Sequence, residues 1–221
     1  MWVTRAELAA RARTSGDSFL HLLEREDLAT IRDPRRRESW LLGRLLAKEL
    51  IQERLGLSVA VSSIAIHSRD GAGRAVRPWA MLDGRPLPLC LSIAHTDRSV
   101  AAACVGAPVT VGVDLTPVGA LGSGAAPLWF SGAERAWCAG EGEVVGALRR
   151  AALWAVKEAG YKATNRGEAF APRRYEVRQN AGGQPTLTVA AATAPVQTDV
   201  WVTERDGEIA AVVIARGKDM R

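Results

Sequence analysis

The spacing of apolar positions predicts its clearest helix over residues 34–55, PRRRESWLLGRLLAKELIQERL. Leu42, Leu45, Leu46 and Leu50 recur at helical intervals, Pro34 stands near the start and Gly56 lies just past the end. Arg37, Arg44 and Lys48, seven and four residues apart, form a basic stripe along this helix. A stripe of that kind, taken alone, is a solvated face. VAVSSIAI (59–66) predicts a strand. LCLSIAH, a short TDR turn and SVAAACV predict a hairpin over 89–105. VTVGVDLT (109–116) alternates cleanly, with Val109, Val111, Val113 and Leu115 on one side and Gly112, Asp114 and Thr116 on the other.

A Gly/Pro/Ala-rich loop follows over 117–127, then one or two helices within 132–163. Closing strands are expected near 174–179, 185–190, 196–203 and 208–215, with turns at NAGG (180–183) and DGE (206–208). Strands with a packed helix in each half give an α+β protein of two similar-sized α/β lobes, 1–106 and 107–221. Each lobe is a small, mostly antiparallel sheet packed on a helix. No repeat is visible at short period.

Composition narrows the function. Of 221 residues, 48% are hydrophobic, which suits an ordinary globular protein. No apolar run is long enough to span a bilayer, and charges interrupt the apolar start MWVTRAELAARARTSGD, so a cytoplasmic protein with no membrane association is expected. The three cysteines, Cys90, Cys104 and Cys138, form no CxxC pair and read as reduced thiols. A net charge of +5 calls for a negatively charged partner. Basic residues interleaved with aromatics, zinc fingers and RNP-like signatures are all missing, so small phosphates fit better than nucleic acid.

Three segments carry candidate chemistry. In AALWAVKEAGYKA (151–163), Trp154, Glu158 and Lys162 fall at i, i+4 and i+8 on one helix face, flanked by Lys157 and Tyr161. Such a face holds a metal and neutralises phosphate oxygens, although a Glu–Lys pair at i, i+4 is also an ordinary surface feature. Asp114 sits near a strand end after a glycine, where carboxylates often bind Mg²⁺ and equally often initiate a turn. His95 ends a strand and begins the turn HTDR. His95, Asp97 and Ser99 do not make a hydrolase, since no GxSxG elbow is present. GAGRAV (71–76) lacks the third glycine of a dinucleotide fingerprint, and there is no Walker A motif.

Taken in chain order, five segments resemble the motifs of the Sfp-type 4′-phosphopantetheinyl transferases. Gly84-Arg85-Pro86 matches G-[KR]-P, Leu91-Ser92-Ile93-Ala94-His95 matches [IL]-S-x-[ST]-H except at Ala94, and Gly112-Val113-Asp114-Leu115-Thr116 matches G-[IV]-D-x-E except at Thr116. Phe130-Ser131-Gly132-Ala133-Glu134 matches F-[ST]-x-x-E. Trp154 to Lys162 completes W-x-x-K-E-[AS]-x-x-K, the strongest of the five. The resemblance spans most of the chain and implies pseudo-twofold-related lobes and coenzyme A as substrate; two lobes within one chain suggest a monomer.

Carried over residue by residue, the resemblance implies a divalent cation, Mg²⁺ or alternatively Mn²⁺, at Asp114 and Glu158. Thr116 stands where a second acid is usual and would complete the set through its hydroxyl or a water. Arg85, Ser92 and His95 would hold the nucleotide end of coenzyme A, with Arg37 and Arg44 of the basic stripe. Lys157 and Lys162 would meet the pyrophosphate. Transfer to a serine of an apo acyl or peptidyl carrier protein would release adenosine 3′,5′-bisphosphate. Lys162 would assist the leaving phosphate, and Glu158, Glu134 or a metal-bound water would take the serine proton. The competing readings are a non-catalytic coenzyme A-binding relative and a basic nucleic-acid module.

Overall fold

The computed structural model describes residues 1–140, 142–165, 167–180, 183–190 and 196–217. It forms two compact units, Met1–Ala107 and Pro108–Arg221, both mixing helices with antiparallel sheet.

The first unit runs β1 (Trp2–Thr4), α1 (Arg5–Ser15), α2 (Leu22–Thr30), α3 (Pro34–Leu55), β2 (Ile64–Arg69), β3 (Ala75–Leu82), β4 (Arg85–Pro86), β5 (Leu89–His95) and β6 (Ser99–Gly106). Local chemistry sets the ends of α3. The Asp33 side chain accepts from Arg36 N, Pro34 opens the first turn, and Gly56 takes the left-handed conformation that stops it. Strands pair antiparallel in the orders β1-β6-β5 and β2-β3-β4. Leu42, Leu45, Leu46 and Ile51 of α3 share one core with Ile64, Ile66, Leu91 and Val100. The strand expected from Val59 starts only at Ile64. Ser63 N bonds Ala60 O in a short 3₁₀ turn, which the paired serines favour over extension.

The basic stripe is the main correction in this unit. Arg44 and Lys48 are 4% and 0% exposed. Lys48 Nζ donates to Phe19 O at 2.9 Å and to the Glu24 carboxylate. Glu24 also accepts from Ile66 N at 3.0 Å and His21 N at 2.9 Å. Arg44 Nη2 donates to Ser68 Oγ at 2.8 Å, and its guanidinium lies 4.6 Å from the Trp40 ring centroid. Helical spacing shows that charges share a face, but a buried partner on another helix decides that this face turns inward.

The second unit runs β7 (Thr110–Pro117), α4 (Ala126–Trp129), α5 (Gly132–Ala139), α6 (Glu143–Thr164), β8 (Tyr175–Gln179), β9 (Pro185–Val189), β10 (Gln197–Arg205) and β11 (Glu208–Arg216). Its main sheet is antiparallel in the order β10-β11-β7, beside a β8–β9 hairpin. Asp206 and Gly207, with φ of 54° and 72°, turn β10 into β11. The turn expected at 180–183 lies partly outside the described residues. Ala151, Ala155, Ala159 and Ala163 give α6 a small-residue stripe that packs on Ile209, Ala211, Val213 and Ala215. No described helix is long and apolar enough to cross a membrane.

Small residues let α6 lie close to β7. A Cβ on Gly112 would stand 1.8 Å from Ala159 O and 2.7 Å from Ala163 N, so only glycine fits. We predict that Gly112→Ala destabilises the protein by about 3 kcal/mol or more, the upper range of overpacking. Gly122→Ala, whose Cβ meets nothing within 4 Å, should stay within about 0.5 kcal/mol of wild type. Urea unfolding of the two variants checks this, and equal midpoints would refute the close approach.

Candidate active site

Strand alternation turns Gly112, Asp114 and Thr116 of β7 toward α6, and the contact at Gly112 fixes which turn of the helix they face. Asp114 therefore meets Glu158 and Lys162. Lys162 Nζ donates to Asp114 Oδ1 at 2.7 Å and to Val113 O at 3.1 Å, and lies 3.9 Å from Glu158 Oε2. Thr116 Oγ1 donates to Asp114 Oδ2 at 3.1 Å. Asp114 is buried, while Glu158 and Lys162 remain partly open.

Burial, and then the neighbouring Asp114 charge, push the Glu158 carboxyl from 4.5 up to about 7, against the pull of Lys162. The Trp154 side chain hydrogen-bonds this carboxylate and favours its charged form. Trp154 is itself held in a row of rings, its centroid 4.5 Å from Trp129 and 5.6 Å from Phe170. Trp129 and Phe170 are neighbours of the site that sequence spacing did not single out, because they lie outside the α6 pattern.

Two carboxylates close enough to share a proton suit a divalent cation, which replaces that proton with stronger charge compensation. Among the described residues no group of three His, Cys, Asp or Glu side chains is placed to hold a metal. A cation here would take Asp114 and Glu158, with remaining ligands from water or substrate oxygens, a pattern common for Mg²⁺. The donor set therefore fits. Thr116 adds no charge and holds Asp114 in place.

Two expected site residues turn out to be internal. Lys157 is 1% exposed and donates to Glu134 Oε1 at 2.8 Å, Pro172 O at 3.1 Å and Tyr175 O. An ammonium group has three donors, and all three are engaged. Glu134 also accepts from Val177 N at 2.9 Å and from Ser131 N at 2.7 Å, as the third residue of a capping box on α5. Glu134 and Lys157 are thus enclosed, engaged with each other and with the backbone. The signal was in the sequence: Ser131-x-x-Glu134 is itself a capping-box pattern.

The residues expected at the nucleotide end all belong to the first unit. Arg85 is exposed on β4, and His95 is exposed at the end of β5. Ser92 is buried and, three residues from His95 on one strand, faces the opposite side of it, so the two do not converge. Arg37 is half-buried and donates to Leu28 O at 2.9 Å, tying α3 to the end of α2. Arg44 is internal, as described above.

The fold and site define a protein with a carboxylate pair and a lysine on a strand–helix contact, suited to holding a cation beside phosphate. Residues 110–214 match the model of the 4′-phosphopantetheinyl transferase superfamily. No curated protein matches the chain. Among solved structures, the Chronobacterium ammoniagenes ACPS–CoA complex is similar at 21% identity and a TM-score of 0.42, over 49% of this chain and 96% of the other. Helicobacter pylori holo-[acyl-carrier-protein] synthase in complex with coenzyme A is similar at 16% identity and a TM-score of 0.41, over 48% and 99%. Mycobacterium tuberculosis acyl carrier protein synthase is similar at 27% identity and a TM-score of 0.39, over 48% and 96%.

The raised Glu158 value gives a pH signature in metal-free protein. The folded state holds a proton that the unfolded state releases above 4.5, so this contribution to stability is full below 4.5 and is lost as pH rises through about 7. Glu158→Gln removes the charge and should melt higher than wild type at pH 8 in EDTA, with the gap closing toward pH 5. A gap independent of pH would refute the shared proton.

Proposed function

We propose that the protein transfers the 4′-phosphopantetheine arm of coenzyme A to a serine of an apo acyl or peptidyl carrier protein. The observation that supports this most is the Asp114–Glu158–Lys162 cluster, which lies wholly inside the segment matching the transferase superfamily. The serine oxygen forms a bond to the phosphorus that bears pantetheine. The bond from that phosphorus to the bridging oxygen breaks, and adenosine 3′,5′-bisphosphate leaves with the bond's electron pair. Such transfers need positioning and charge neutralisation more than covalent help from the protein.

Asp114 and Glu158 would hold Mg²⁺ or Mn²⁺, which when bound supplies Lewis-acid charge to the pyrophosphate. Lys162 spends one N–H on Asp114 and one on Val113 O. Its third donor is left for a phosphate oxygen of the leaving group. Glu158 or a water takes the serine proton, since Glu134 is enclosed. Arg85 and His95 are the residues we assign to the nucleotide end. The net charge of +5 favours encounter with an acidic acceptor.

One observation favours a second reading, a coenzyme A-binding relative without transfer: Thr116 contributes a hydroxyl to Asp114 and no third carboxylate. Intact-mass spectrometry of an apo carrier protein, incubated with the protein, coenzyme A and Mg²⁺, separates the two. Transfer should add one phosphopantetheine, only with metal, and Asp114→Ala and Glu158→Ala should each lower the rate roughly 100-fold or more. Near-normal rates in either variant would refute the site, and coenzyme A binding without any mass gain would establish the second reading.

A further inference from the structure

Both units contain the same internal device. In the first, Glu24 is the third residue of α2 and closes a capping box with His21. It accepts from buried Lys48 of α3 and from the backbone of Ile66 on β2, the first strand after that helix. In the second, Glu134 is the third residue of α5 and closes a capping box with Ser131. It accepts from buried Lys157 of α6 and from the backbone of Val177 on β8, again the first strand after the helix. The two long helices each have 22 residues, and Lys48 and Lys157 occupy the same position along them.

The residue after each lysine is a glutamate with a different fate. Glu49 pairs with Arg11 at 3.0 Å on an open face. Glu158 faces Asp114. We infer that the Glu134–Lys157 pair positions Glu158 for cation binding, beyond its part in folding, whereas Glu24–Lys48 serves folding alone. Lys157 ties α6 to α5 and to Pro172 and Tyr175, one residue before Glu158. Tyr175 in turn backs Gly160, where an added Cβ would lie 3.3 Å from Tyr175 Cδ1. The strut and the close approach at Gly112 together set the rotation of α6 that presents Glu158 to Asp114. Glu134, Lys157 and Gly112 thus act as positioning residues.

This inference rests on the transferase reading, and the first unit supplies its control. Lys157→Met, Glu134→Gln, Lys48→Met and Glu24→Gln are compared with wild type by thermal melting, by calorimetry of coenzyme A binding without metal, and by EPR titration of Mn²⁺ into the coenzyme A-loaded protein. All four variants should melt lower. Lys157→Met and Glu134→Gln should weaken Mn²⁺ binding about tenfold or more, the usual effect of losing a residue that orients a ligand, with coenzyme A affinity within about twofold. Lys48→Met and Glu24→Gln should leave Mn²⁺ affinity unchanged.

Glutamine keeps the shape and an acceptor for Val177 N, so Glu134→Gln carries the comparison if Lys157→Met does not fold. Unchanged Mn²⁺ affinity in both second-unit variants would overturn the inference and leave the pair purely structural. Loss of metal-free coenzyme A binding in Lys157→Met would overturn it in favour of direct phosphate contact. Wild type that binds no Mn²⁺ would remove the cation site itself, and the inference with it.

Discussion

A buried ammonium–carboxylate pair, enclosed where an ordinary helix face would meet water, is the constraint on which each unit depends. Removing both charges from water costs several kcal/mol per ion, and their attraction offsets this only when the other lone pairs and protons are engaged. That condition is met twice. Glu24 and Glu134 each accept from a lysine, from a capping-box backbone N–H and from a strand N–H. A slip of either strand or a rotation of either long helix leaves a buried charge partly unpaired. The pair therefore selects one register more than it adds stability, much as a buried polar residue specifies register in a coiled coil.

With α6 fixed in this way, its packing surface can be almost featureless. Alanines at four-residue intervals and Gly112 on the facing strand bring helix and sheet into backbone contact. Close approach shortens the distance between the carboxylates that project from the two elements, and this proximity, with burial, raises Glu158 toward neutrality. Lys162 counters the Asp114 charge, so the metal-free site need not hold two unopposed anions. Packing geometry and site electrostatics are consequently one arrangement, set by side chains too small to carry any chemistry.

What was legible in the sequence follows from this. The ends of α3 were readable because Pro34 and Gly56 act locally, and the two faces of β7 because alternation needs no knowledge of the rest of the fold. Alternation and helical spacing gave the faces of Asp114, Glu158 and Lys162, but their meeting was expected only through the resemblance of motif order. The fates of Arg44, Lys48, Glu134 and Lys157 were not, because inward and outward charged faces have the same periodicity. Only the partner decides, and Glu24 lies 24 residues from Lys48 on an unanticipated helix. The shared device escaped notice for the same reason, since it consists of contacts between elements, with little sequence likeness around them.

The two long helices separate what a motif encodes from what its surroundings add. Lys48-Glu49 and Lys157-Glu158 are the same dipeptide at the same helical position, each anchored by the same buried pair. In α3 the glutamate meets Arg11 on an open face and its ion pair is an ordinary surface contact. In α6 it meets a second carboxylate across a contact that only Gly112 permits, with Lys162 one helical turn further on. A lysine–glutamate step on a helix is thus a structural device that becomes a site when a strand offers an acid opposite it. The proposed chemistry belongs to the pairing of α6 with β7, and neither element carries it alone.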